Sequence, residues 1–375
     1  MLCEDASVDH LSDLGWQRRS EFLFDLALVG EAVEFACRSR GLCRVNYAGG
    51  SSDPACEPKA RVTADPRIER VRREMAAFLG FEVPASAPIE TLESEPRRGY
   101  LRTLVTYPSG DGDTIPAYLL MPNGEGAFPA VVVHHQHNSE RHLGKSEPAG
   151  LAGDELQAFG PALASRGVAV LAPDSICFED RRHQRTGREP DTAYDWLQHY
   201  NEFAYRLVIG DSLARKVLAD SALAISVLAA LRAVRTDRIG MVGHSYGGNT
   251  VLFHAPLDER VSFACASGSA CTYRTKMTAG TGIELAEVIP GFAQRFDLDD
   301  LVRCMAPRPL LLASATRDPY SQDADVIEHS ARSAYEALGA PGALEHLRAE
   351  GEHQLTPDRF RRIVAWTQAR GALAG

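Results

Sequence analysis

The sequence has no run of 18 apolar residues, no CxxC pair, no dense lysine and arginine stripe and no internal repeat. Each absence removes a class of protein. Without such a run no membrane-spanning helix is expected; the most apolar early stretch, Phe22 to Cys37, is broken by Asp25, Glu31 and Glu34. Basic residues number 40 against 50 acidic ones, and a net charge of -10 repels phosphate backbones, so no nucleic-acid partner is expected. The clusters Arg70, Arg72, Arg73 and Arg181, Arg182, Arg185 are interrupted and do not offset this. The eight cysteines are scattered, as in a reduced protein, with Cys265 and Cys304 in apolar surroundings that suit small core residues. Glu4, Asp5 and Asp9 near the start, with no basic segment, read against a secretory leader and make a cytoplasmic location the expectation. What is present is ordinary globular composition: 375 residues, 45% hydrophobic and 24% charged. That length fits one large α/β domain with an appendage, or two domains.

Apolar residues at helical spacing (Phe22, Leu26, Val29, Val33, Cys37) predict a helical N-terminal region over residues 1–97. Residues 46–58 read as a loop. Asp65-Pro66 then supplies a cap and a first-turn proline for a second helix, with Ile68, Val71, Met75 and Phe78 or Leu79 on its buried side. Residues 84–96 are polar and read as a connector. From Tyr100 the period changes to two, and Tyr100–Tyr107, a turn at 108–112, and Thr114–Met121 predict a β-hairpin. Short strands near 130–133, 168–172, 238–242, 261–267, 309–315 and 344–347 then alternate with helices near 156–164, 212–231, 246–253, 322–338 and 357–369. This rhythm predicts a mostly parallel sheet flanked by helices, a catalytic domain over 98–375. Segments 175–211 and 270–300 break the rhythm and read as cap-like insertions that could roof a pocket.

The sharpest local feature is Gly243-His244-Ser245-Tyr246-Gly247. With 31 glycines in the chain the bare pattern is weak; its context is not. It follows an apolar strand and precedes a helix, where glycines permit a tight turn that pushes the Ser245 hydroxyl into a cleft. A serine needs a base. His353 lies in the loop after the last strand, which opens at the same sheet edge as the Ser245 turn. The orienting acid is expected to be Asp318, in the loop after strand 309–315, with Asp323 as the alternative at the next helix start and Glu352 poorly placed to turn back onto its neighbour. The order Ser245, Asp318, His353 is that of an α/β-hydrolase. Tyr246 N–H is the first oxyanion donor expected; the second is Gln136 N–H, with His137 N–H as its rival, from the loop His134-His135-Gln136-His137-Asn138.

With these residues assembled, the chain resembles the α/β-hydrolase superfamily, and within it dienelactone-hydrolase-like and acetyl-xylan-esterase-like serine hydrolases. The likeness runs from about residue 98 to 370. It rests on the hairpin Asp111 to Pro122, His135-Gln136, Gly144 to Gly150, Ala172-Pro173-Asp174, Gly240 to Gly248, and Arg308 to Leu311 with Asp318-Pro319-Tyr320. It implies Ser245, Asp318 and His353 as the triad and esters, thioesters or lactones as substrates. The chain departs from the pattern with His134-His135-Gln136 where many members have His-Gly, and with a serine where dienelactone hydrolases proper use cysteine.

Two motifs compete with this reading. Gly144-Lys145-Ser146 imitates the end of a phosphate-binding loop, but Ser139 stands where its first glycine belongs. His134, His135, His137 and His142 suggest metal, yet no cysteine or carboxylate spacing specifies a closed site, and a loop bordering the pocket is the better reading. No metal or organic cofactor is therefore expected. His135, His137, Arg181 and Arg182 are candidate substrate contacts, although buried pairing that pins the insertion explains the two arginines as well. The reaction expected is acyl-enzyme hydrolysis of a small or medium molecule; carbon–carbon hydrolysis, acyl transfer, or a non-catalytic interaction role for the N-terminal region are the alternatives. That region reads as a lid or dimer surface, which leaves a homodimer open.

Overall fold

The computed structural model describes residues 65–372. The expected helix at 22–37 and loop at 46–58 lie outside the described residues. The first described helix, α1 (Pro66–Leu79), is built as its sequence requires. Asp65 accepts a hydrogen bond from Arg67 N–H, Pro66 opens the first turn, and Gly80 closes the helix in the left-handed conformation. Met75 and Leu79 are buried, with Ile68, Val71 and Phe78 packed beside them.

A nine-stranded sheet follows, in spatial order β1-β2-β3-β5-β4-β6-β7-β8-β9. β1 (Glu90–Arg97), β2 (Tyr100–Pro108) and β3 (Thr114–Pro122) form an antiparallel meander, and β3 pairs antiparallel with β5 (Ala169–Pro173). From β5 onward all pairings are parallel: β4 (Phe128–His134), β6 (Val234–His244), β7 (Val261–Ser267), β8 (Leu310–Ala315) and β9 (Leu344–Ala349). β1 occupies part of the expected connector. Its side chains are exposed or only half-buried, so no apolar alternation marked it.

Helices cover both faces. α4 (Leu213–Ala230), α5 (Tyr246–His254), α7 (Leu298–Met305) and α8 (Ala324–Ala337) pack with α1 on one side, where Cys304 is buried. α2 (Phe159–Ala164) and α9 (Pro357–Ala372) bury Phe159, Leu163, Ile363 and Val364 on the other, against Val131, Val242 and Cys265. The first interruption of the rhythm contains α3 (Thr192–Val208); the second contains α6 (Tyr273–Ala279) and two short 3-10 turns. No helix among the described residues is long and apolar enough to cross a membrane.

The strand order positions the site. β5 is added on one side of β4 and β6 on the other, so the loops after β4 and β6 diverge at a topological switch point. His134 pairs with Gly243 there. At the far side Ala315 pairs with Ala349, which sets the loops after β8 and β9 beside each other.

Candidate active site

Ser245 sits between β6 and α5 with φ 56° and ψ -120°, a backbone conformation that costs a non-glycine residue about 1–3 kcal/mol. A β-carbon on Gly243 would lie 2.2 Å from the Gly247 carbonyl oxygen, and one on Gly247 would lie 2.2 Å from the His134 carbonyl oxygen. Two glycines thus let β4, β6 and α5 close on one another, and Ser245 N–H donates to the Ser267 carbonyl at 2.8 Å, tying the turn to β7.

Residues over a hundred positions apart converge on its hydroxyl. Ser245 Oγ lies 2.8 Å from His353 Nε2, and His353 Nδ1 lies 2.9 Å from Asp318 Oδ1. Asp318 also accepts from Tyr320 N–H and from the Ser321 hydroxyl. Burial pushes its carboxyl up, but hydrogen bonding and charge attraction from His353, joined by the bonds from Ser321 and Tyr320, outweigh that and hold it below the usual aspartate value. With both its oxygens engaged, Asp318 fixes the imidazole so that Nδ1 carries the proton and Nε2 faces the serine as an acceptor. Tyr320 packs edge-on to the His353 ring and His244 packs on it at 4.9 Å between centroids. Arg359, fully buried on α9, donates to the Glu352 and His353 carbonyls and so holds the histidine loop.

The alternative acids are engaged elsewhere. Asp323 accepts from Thr272 N–H and from the Thr272 and Thr275 hydroxyls, capping α6, and Glu352 pairs with Arg317 at the surface.

These groups open into a cleft of about 250 Å³ lined in part by His137, Ser245, Tyr246, Glu284, Tyr320 and His353. Residues 282–284 and Glu287, from the second insertion, form part of the cleft lining. A larger cavity of about 600 Å³, lined by Glu82, Asp111, Arg206 and Lys216 among others, borders neither Ser245 nor His353.

The remaining expected contacts divide. His137 lines the cleft; Gln136 is buried, with its side-chain amide donating to Glu147 at 2.9 Å. His135 accepts from Ser175 N–H at Nε2, and its Nδ1 lies 2.8 Å from the Gln136 carbonyl oxygen, so both ring nitrogens are occupied by backbone. Arg181 is buried against Asp113, Asp220 and the Asp174 carbonyl, and Arg182 against Asp195 at 2.7 Å. The two arginines pin the first insertion and are not among the cleft-lining residues. The Gly144-Lys145-Ser146 motif has a similar role: buried Lys145 bonds Asp174 at 2.9 Å and Glu179 at 2.7 Å.

Three residues near the cleft carried no sequence signal: His199 on α3, Glu284 in the second insertion, and Arg359. Each gains its role from partners distant in sequence. The structure also contains a second serine–histidine–aspartate chain. Ser221 Oγ is 2.6 Å from His254 Nδ1, and His254 Nε2 is 3.1 Å from Asp258 Oδ2. All three are buried and His134 Nε2 caps the serine at 2.8 Å, so this chain serves packing rather than a reactant.

No family model matches the chain. It is 28% identical over 298 residues to the provisionally named hydrolase YtaP of Bacillus subtilis (strain 168), covering 76% of this chain and 94% of that protein. Among solved structures it is similar to a Bacteroides fragilis NCTC 9343 protein provisionally named an acetyl xylan esterase, with a TM-score of 0.62 at 18% identity over 75% of this chain and 74% of the other. It is also similar to an acetyl xylan esterase from Paenibacillus sp. R4 (TM-score 0.55, 18% identity, 83% and 96% covered) and a glucuronoyl esterase from Solibacter usitatus (TM-score 0.57, 15% identity, 80% and 91% covered). At such identities the likeness is one of architecture, and that architecture is the α/β-hydrolase fold.

Proposed function

We propose that the protein is a serine hydrolase cleaving a carboxylic ester, thioester or lactone through an acyl-enzyme. The observation that carries this reading is the continuous Ser245–His353–Asp318 hydrogen-bond chain ending in a cleft. Ser245 Oγ attacks the acyl carbonyl as His353 Nε2 takes its proton; Asp318 steadies the resulting imidazolium. The Tyr246 N–H at the start of α5 and an N–H from the loop after β4 meet the developing oxyanion. The candidates for that second donor are Gln136 N–H and its rival His137 N–H. His353 then protonates the leaving group, and water repeats the sequence to release the acid. The cleft of about 250 Å³ falls just below the usual range for small-molecule sites, roughly 300–1,000 Å³, which supports a small acyl group. The relatives' names, hydrolase and esterase, support the same class.

A fluorophosphonate probe tests it. Labelling of the wild-type protein, abolished in Ser245→Ala, is the expected result; equal labelling of that variant would reject Ser245 as nucleophile.

A further inference from the structure

His137, His199 and Glu284 bring one ring nitrogen from each imidazole and a carboxylate oxygen within 4.8 Å of one another, with His137 Nε2 facing Glu284 Oε2 at the cleft wall. His199 is fully buried, and neither Nε2 has a hydrogen-bond partner; the nearest Glu284 oxygen is 3.8 Å from His137, beyond bonding distance. Orphaned buried polar atoms of this kind call for an occupant.

The occupant's chemistry follows from the other side of each ring. Arg141 Nε–H donates to His199 Nδ1 at 2.8 Å, and Ser139 N–H donates to His137 Nδ1 at 3.0 Å. Neither donor can act as an acceptor, so both Nδ1 atoms are unprotonated. Burial, reinforced by the nearby Arg141 charge, pushes both imidazoles well below the usual histidine range, His137 to about 3, so each ring is neutral. The proton of each neutral ring therefore sits on Nε2. Two N–H donors and one carboxylate acceptor face the common space. A divalent metal would need Nε2 lone pairs that these tautomers lack. A carbonyl could take both donated bonds but would give nothing to Glu284, and an ammonium could accept neither.

We infer that His137, His199 and Glu284 form a subsite for a substrate hydroxyl, which accepts from both imidazoles and donates to the carboxylate. His137 Nε2 and Glu284 Oε2 stand 3.8 Å apart, so a hydroxyl oxygen between them can reach hydrogen-bond length to both. Since His137 and Glu284 line the cleft that holds Ser245, the substrate is an ester carrying a free hydroxyl, as in a partially acylated polyol or a hydroxy-acid ester. This inference rests on the serine-hydrolase reading and deepens it.

The test measures kcat/KM on matched pairs: 2-hydroxyethyl acetate against propyl acetate, and ethyl 3-hydroxybutanoate against ethyl 3-methylbutanoate. A site built to bond a hydroxyl rejects analogues without one, so the wild type should favour the hydroxylated member of at least one pair by roughly 10-fold or more. In Glu284→Gln the Oε1 oxygen keeps its bond from Leu285 N–H, which leaves the amide NH2 where Oε2 faced the site; a donor then stands in place of the acceptor, and the ratio should fall close to one. His199→Phe should do the same, and thermal unfolding checks that each variant is folded; Glu284→Gln alone suffices if the other does not fold. No preference in wild-type protein that the fluorophosphonate labels, or an unchanged ratio in folded Glu284→Gln, overturns the subsite. So does one zinc ion bound per wild-type chain and absent from His199→Phe. Wild-type protein that the probe does not label would instead remove the hydrolase reading underneath it.

Discussion

Two chains of serine, histidine and aspartate in one molecule make access, not composition, the feature that separates reaction from packing. Ser245→Ala should lower kcat by about 10⁴- to 10⁶-fold and Asp318→Asn by about 10⁴-fold, measured on a chromogenic acetyl ester. Ser221→Ala leaves His134 and His254 without their shared partner. It should cost about 1–3 kcal/mol in urea unfolding and change kcat little. Glu147 gives a pH signature. Burial lifts its carboxyl to about 7, against the opposing bonds from Gln136 and Asp154 N–H. The folded protein thus holds a proton that the unfolded chain releases near pH 4.5, so this group's contribution to stability falls as pH rises from there to about 7 and is flat above. Glu147→Gln keeps an acceptor for both bonds without the charge. It should raise the unfolding midpoint at pH 8, by about 1–3 kcal/mol of stability, and leave it nearly unchanged at pH 4. Single residues were legible in the sequence where a strand end dictated their place, as for Ser245, Asp318 and His353. The choice between Gln136 and His137 was not, because it turns on one position of backbone register. Nor were the partners of Arg181, because Asp113 and Asp220 lie far from it along the chain.

Among elements, the helices and parallel strands followed from periodicity and capping, as at Asp65-Pro66, while β1 did not. An edge strand with exposed side chains on both faces leaves no hydrophobic alternation, and only its pairing with β2 defines it. The two insertions were recognisable by the rhythm they break, but not by what anchors them. Lys145 is the anchor of the first, with Asp174 and Glu179 both buried around it. Burial lowers the affinity of this lysine for its proton, and the carboxylates of Asp174, Glu179 and Asp180 more than restore it, pushing the group above the ordinary lysine value. Lys145→Met should leave those carboxylates uncompensated and cost about 3–5 kcal/mol in chemical denaturation.

At the level of the whole molecule, the sheet converts sequence distance into proximity. The loops after β4, β6, β8 and β9 all leave the same edge, so a cleft of about 250 Å³ gathers residues from across the chain. Its size carries a prediction for substrates. Acetyl and propionyl esters should exceed octanoyl esters of the same alcohol by at least about 100-fold in kcat/KM, measured across a chain-length series. The fold class was legible because parallel strands and crossover helices impose a repeating pattern; cleft volume was not, because it depends on how residues 282–287 settle over the edge.

Arg359 holds the loop that carries His353, so on the proposed reading turnover depends on how α9 docks. Gradual heating should therefore silence the protein several degrees before its circular dichroism collapses, as α9 frays and carries the proton acceptor away from an otherwise folded sheet. Catalysis would then act as a sensitive gauge of tail attachment, reporting a local opening to which bulk spectroscopy is nearly blind.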